Sequence, residues 1–159
     1  MNRMSRLTIA GLLVGALALT AVGVWAAPTF RGSVPPPPDT GTSTGGEPIY
    51  MGTVIIDPTC TDCTVTVEVV HNPEELAPAP GGKTFLGDAF QVDIEGPAGS
   101  TVKISFAFPP EFAAKGATIY KLDTLATPPV WVEVPGVVIE NGVISVEGGA
   151  GTYVLVGNS

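Results

Sequence analysis

Positive charge is scarce in this 159-residue chain: seven Lys and Arg stand against 15 Asp and Glu, a formal net charge of −8. Arg3 and Arg6 lie in a first segment without acids, so residues 27–159 carry five basic groups against 15 acidic ones. Such a chain has no basic face to set against a phosphate backbone or an anionic bilayer. Nucleic acid and anionic membrane surfaces are therefore excluded as expected partners.

Histidine and cysteine are nearly missing as well. His71 is the only histidine, and a Ser-His-Asp triad would have to use it. No Gly-x-Ser-x-Gly elbow is present, and His71 reads instead as the start of an exposed loop before Asn72-Pro73. With only Cys60 and Cys63, a structural zinc site would need two further ligands, and His71 is the one other nitrogen or sulfur donor. The acids Asp57, Asp88, Asp93, Glu95 and Asp123 are scattered, and none forms an Asp-x-Asp-x-Asp-Gly calcium loop. Glu74-Glu75 are adjacent in a Pro-rich loop, whereas glycoside chemistry needs two carboxyls facing each other across a cleft. No catalytic residue, metal or cofactor is expected.

The first segment has a different character. Arg3 and Arg6 precede Leu7 to Ala27, a stretch that is apolar or small apart from Thr8 and Thr20. A basic start, a long apolar run and small residues at its end form a secretory signal. Val24 and Ala26 suit the −3 and −1 positions of a signal peptidase, which places the signal at residues 1–26. The alternative is an uncleaved anchor, because 21 uncharged residues are long enough to span a bilayer. Membrane contact is expected only if Leu7–Ala27 is retained. Either way the rest of the chain lies outside the cytoplasm, whether secreted, periplasmic or on the cell surface.

Residues 27–48 contain four consecutive prolines, Pro35 to Pro38, followed by a Gly/Ser/Thr-rich run. With few apolar residues and no period, this reads as a linker, extended in its proline half and flexible after it. From residue 49 to 159 the pattern has period two. Val65, Val67 and Val69 alternate with polar residues, as do Phe90, Val92 and Ile94, and then Val102, Ile104, Phe106 and Phe108. Such alternation places one face of a strand in a core and the other in water. Further strands are expected at 50–57, 117–123, 130–134, 137–140, 143–147 and 152–156. Asn141-Gly142, between two apolar runs, marks a tight hairpin. Pro109-Pro110 before Glu111, with Lys115-Gly116 at the far end, marks one short helical turn with Phe112 beneath it. Eight or nine short antiparallel strands and one such crossover predict an all-β, Ig-like antiparallel β-sandwich, with a closed barrel as the alternative.

The stretch Val102–Val156 has an apolar strand, a Pro-Pro-Glu crossover and a strand carrying Tyr120. A Trp-Val-Glu-Val-Pro strand, an Asn-Gly hairpin and a final Thr-Tyr strand follow. It resembles the Ig-like β-sandwich accessory modules of the ZU5/UPA kind in bacterial extracellular proteins. The resemblance covers about half of the domain. It implies a spacer, scaffold or interaction module, and no chemistry. The expected partner is an extracellular protein or a cell-wall component.

Two local features carry rival readings. Cys60-Thr61-Asp62-Cys63 follows Asp57-Pro58 and runs straight into the strand at 64–70. Export favours a disulfide, and the turn setting suits a structural one. Thiol redox chemistry would want the first cysteine at a helix N-terminus. Trp131 stands opposite Val130, Val132 and Val134 on its strand. If the valines face the core, Trp131 is exposed and could stack a sugar together with Tyr120 and Tyr153, as in a carbohydrate-binding module. The favoured arrangement has Trp131 covered by the loop Thr127-Pro128-Pro129.

Overall fold

The computed structural model describes residues 38–159 of the chain. They form eleven strands. These are β1 Thr40–Thr44, β2 Ile49–Met51, β3 Val54–Pro58, β4 Thr64–Val70, β5 Lys83–Glu95 and β6 Val102–Ala107. After the single α-helix, α1 Pro110–Ala114, come β7 Thr118–Asp123, β8 Val130–Glu133, β9 Val138–Glu140, β10 Val143–Gly148 and β11 Gly151–Asn158. A 3-10 turn at Pro73–Glu75 interrupts the long β4–β5 connection.

The strands assort into two sheets. One has six strands in the order β1-β4-β5-β11-β7-β8, the other five in the order β2-β3-β6-β10-β9. Every pairing is antiparallel. Residues 38–159 thus form a sandwich with open edges rather than a closed barrel.

Period two decides which side chains meet. Val65 and Val67 of β4, Phe90 and Val92 of β5, Ile119 of β7 and Tyr153 and Leu155 of β11 project from the six-stranded sheet. They meet Ile56 of β3, Ile104 and Phe106 of β6 and Ile144 and Val146 of β10 from the other sheet. Phe90 and Phe106 touch edge to face with ring centroids 5.8 Å apart. This inter-sheet layer is the main core, and its burial is the principal force holding the two sheets together.

Local signals read from the sequence fix several turns. Asn141 and Gly142 take φ of 51° and 76°, the left-handed pair that a two-residue hairpin requires, and Glu140 faces Val143 across it. Helix α1 starts at Pro110 and is followed by Gly116 at φ 60°, with Phe112 packed against the core. In β5, Gly87 (φ 156°) lies in a bulge: Val154 of β11 pairs with Ala89, but Val156 pairs with Phe85.

Three expectations need correction. The segment 27–48 is not linker throughout, because Thr40–Thr44 forms β1 and pairs residue for residue with Glu68–Thr64 of β4. Its polar Thr-Gly-Thr-Ser-Thr sequence has no apolar alternation, since an edge strand can be held by backbone hydrogen bonds. The single strand expected at 50–57 is two, folded back at Gly52 with φ 64°. The strand that holds Phe90 begins earlier, at Lys83. On this structure, deleting Thr40–Thr44 exposes the edge of β4 and the buried Ile49 and Met51 beside Gly41. The thermal midpoint should fall by at least about 3 °C, as for a loss of roughly 1 kcal/mol in a domain of this size. Calorimetry of the deletion variant checks it.

Candidate functional site

The outer face of the six-stranded sheet is apolar where most sandwich surfaces are polar. Ala89, Tyr120, Trp131, Val154 and Val156 are buried there, with Val70, Phe85 and Leu122 packed against them. The cover is supplied by the β4–β5 connection. Pro73 and Ala77 are buried in it, while Glu74 and Glu75 project into solvent. Trp131 secures this strap: its indole Nε1 donates to the Ala77 carbonyl at 2.9 Å, and its ring meets Phe85 edge to face at 5.6 Å.

Trp131 is therefore covered, at 6% exposure, but not in the way its strand pattern suggests. Val130 and Val132 are the exposed residues, at 43% and 49%, and the strap rather than the loop Thr127-Pro128-Pro129 does the covering. Register explains the reversal. Trp131 pairs with Leu122 and Glu133 with Tyr120, so this face of edge strand β8 continues the strap-covered apolar surface.

Tyr120 and Tyr153 do not join Trp131 in a surface platform. Tyr120 is 7% exposed under the strap, and its hydroxyl donates to Glu133 at 3.4 Å. Burial and then the neighbouring Glu133 carboxylate push its pKa up. Tyr153 lies on the opposite face of its sheet, in the main core, and is 1% exposed. Its hydroxyl donates to the Gly149 carbonyl at 2.6 Å, the Lys121 ammonium sits 5.2 Å from its ring centroid, and burial raises its pKa. A sugar-stacking surface made of Trp131, Tyr120 and Tyr153 is thus ruled out by burial, and all three are packing residues.

Cys60 and Cys63 are joined in a disulfide with Cα atoms 5.7 Å apart. It closes the turn between β3 and β4, and Cys63 belongs to the main core. Among the described residues no helix N-terminus adjoins it, and that is the feature that lowers a thiol pKa in redox CxxC sites.

His71 is exposed at the end of β4, as its sequence position implies, yet it is not isolated. Nδ1 lies 3.2 Å from Asp88 Oδ2 in the β5 bulge, and Nε2 lies 3.2 Å from Asp39 Oδ1 just before β1. The hydrogen bond to Asp88 and then that to Asp39 hold the imidazolium pKa above its ordinary value of 6.5. The carboxylates take opposite sides of the ring, so the three groups cannot converge on one ion. Among the described residues no cluster of three or more His, Cys, Asp or Glu is arranged to hold a metal.

The outer face of the five-stranded sheet differs from its counterpart. One cross-strand row runs over all five strands: Tyr50, Ile55, Ser105, Ser145 and Val138. Tyr50 is 66% and Val138 49% exposed, while Ser105 and Ser145 lie low between them. Lys103, Glu147, Glu140 and Asn141 border a shallow trough of about 540 Å3 at the Val138 end. No cluster of buried apolar residues lies on this face among the described residues. Compared with models of protein families, with curated proteins and with solved structures, the chain matches none.

Two measurements test these assignments. Trp131→Ala should cost about 3–5 kcal/mol in denaturant unfolding and speed amide exchange over residues 71–82, whereas Val132→Ala should cost under about 1 kcal/mol. The single imidazole should titrate in NMR above pH 6.5, and Asp88→Asn should bring it down further than Asp39→Asn does. Because the folded pKa is raised, the stabilisation by His71 is complete below pH 6.5 and fades as pH climbs through the folded value.

Proposed function

We propose that the chain is a non-catalytic, extracytoplasmic β-sandwich module of a bacterial surface or secreted protein, serving in scaffolding or protein interaction through the outer face of its five-stranded sheet. The observation that carries this reading is the contrast between the two outer faces. One is sealed by the chain's own strap over Trp131, and the other leaves Tyr50, Ile55 and Val138 in one cross-strand row with the low-lying Ser105 and Ser145 between them. Flat faces with an exposed tyrosine and aliphatic neighbours around low-lying small side chains suit a protein partner, since aromatic anchors carry a large share of interface energy. Export is supported by the basic, apolar and small-residue pattern of residues 1–26 and by the Cys60–Cys63 disulfide, which persists in oxidising compartments. The partner fitting this surface is an extracellular protein or a cell-wall component, with the chain free or held by Leu7–Ala27 as an anchor.

A photo-reactive amino acid placed in turn at Tyr50, Val138 and Leu125 on intact cells tests the reading. Leu125 serves as the control because it is 93% exposed but lies on the β7–β8 loop. Crosslinks from the first two positions to one and the same partner, and none from Leu125, are expected. Tyr50→Ser with Val138→Ser should then lower capture of that partner by about tenfold or more. Equal crosslinking from all three sites, or capture unchanged in the double variant, counts against the assignment.

A further inference from the structure

The two sheets part at the end of the sandwich where the β2–β3 turn, the end of β4, the β5 bulge and α1 meet. They leave a cleft of about 520 Å3 there. Leu86, Phe90, Phe106, Phe112 and Leu155 line its walls, so its interior is apolar and continuous with the main core. Its volume falls in the range of small-molecule sites, roughly 300–1,000 Å3. Among the described residues three titratable side chains line it: Asp39 from the chain before β1, His71 from the end of β4 and Asp88 from β5. All three are in mutual contact through the imidazole. Two carboxylates against one imidazole leave this group with a net negative charge in either protonation state of His71.

We propose that this cleft binds a small amphiphilic amine, with its apolar body between the sheets and its ammonium group against the Asp88 carboxylate in the β5 bulge. The apolar walls select the body by the surface they remove from water. The carboxylates select the charge: they repel an anionic head group and leave a neutral one without a charged partner, while Asp88 accepts a charge-assisted hydrogen bond from an ammonium and Asp39 adds to the local negative potential. The ammonium competes with the exposed His71 ring for the Asp88 carboxylate, so ligand and imidazolium proton compete. The site is separate from the outer face of the five-stranded sheet, and its failure would leave the interaction reading untouched.

The test is titration of the whole chain with 2-phenylethylammonium, 3-phenylpropanoate and 2-phenylethanol, followed by NMR of His71 and of the Leu86 and Leu155 methyl groups. Saturable binding of the amine is expected, tighter at pH 8 than at pH 6, with the His71 titration moved to lower pH in its presence. Asp88→Asn, a surface change outside the core, should weaken the amine by roughly tenfold, the size of one lost hydrogen bond to a charged group. Leu86→Trp, which fills the cleft, should abolish binding. No saturation by the amine overturns the proposal, as does equal affinity for the acid or the alcohol. Unchanged affinity in Asp88→Asn overturns the choice of ligand charge even if Leu86→Trp does not fold.

Discussion

A strand that is apolar on both faces must be covered twice. Strand β11 lies inside the six-stranded sheet, between β5 and β7, and carries Thr152 to Val156 with every residue buried. Tyr153 and Leu155 are covered by the second sheet, which accounts for the sandwich. Val154 and Val156 face the other way, and a two-layer fold alone would leave them in water. The strap after β4 answers that requirement. Its Pro73 and Ala77 lie on the outer face, and the Trp131 indole spends its one donor on the Ala77 carbonyl. An indole N–H buried without a partner would cost more than the bond contributes, so the same contact that fixes the strap makes the burial of Trp131 tolerable.

That contact also determines which surfaces stay open. With the strap closed over one outer face, the five-stranded sheet keeps the other, and its central strands carry Ser105, Ser145 and Ala107 where large side chains would have raised the surface. The edges are handled differently. Strands β2 and β9 have three residues each, and short edges limit runaway strand pairing. Of the two outer faces, one thus buries aromatic side chains and the other is left accessible.

Much of the fold was legible because period two is a strong signal wherever one face is buried and the other wet. Val65/Val67, Phe90/Val92/Ile94 and Val102/Ile104/Phe106 all point to the core as their spacing implies, and Asn141-Gly142 turns where it should. The misreadings at β1, β2 and β8 share one cause, which is tertiary context at edges, whereas inner strand β5 only extends beyond its apolar run. Thr40–Thr44 lacks any apolar period because an edge strand can be specified by its neighbour's backbone. On β8 the valines outnumber the tryptophan, yet valine fits the half-exposed pleated surface of an edge strand, and the larger ring takes the covered side. The signal that could have placed Trp131 lay elsewhere, in the unbroken Thr-Tyr-Val-Leu-Val run of β11, since a strand without polar alternation announces a second cover. The candidate site was less legible. The Tyr50–Val138 row and the Asp39–His71–Asp88 group join residues far apart in sequence, and only strand order brings them together.

Charge narrows what the open surfaces can accept. Residues 38–159 hold all 15 acids of the chain but only four of its basic groups, Lys83, Lys103, Lys115 and Lys121. Two copies of such a domain repel each other at long range, which works against self-association through the outer face even though Tyr50, Ile55 and Val138 would be complementary in polarity. A partner with a basic rim around an apolar centre meets neither obstacle. Among the described residues the trough beside Val138 is bordered by Glu140 and Glu147 with Lys103 to offset them, and the cleft at the end of the sandwich has two carboxylates to one imidazole. Both openings therefore favour cationic over anionic groups of otherwise equal fit. That preference should weaken with added salt at both openings, because the charges that border them are exposed to water.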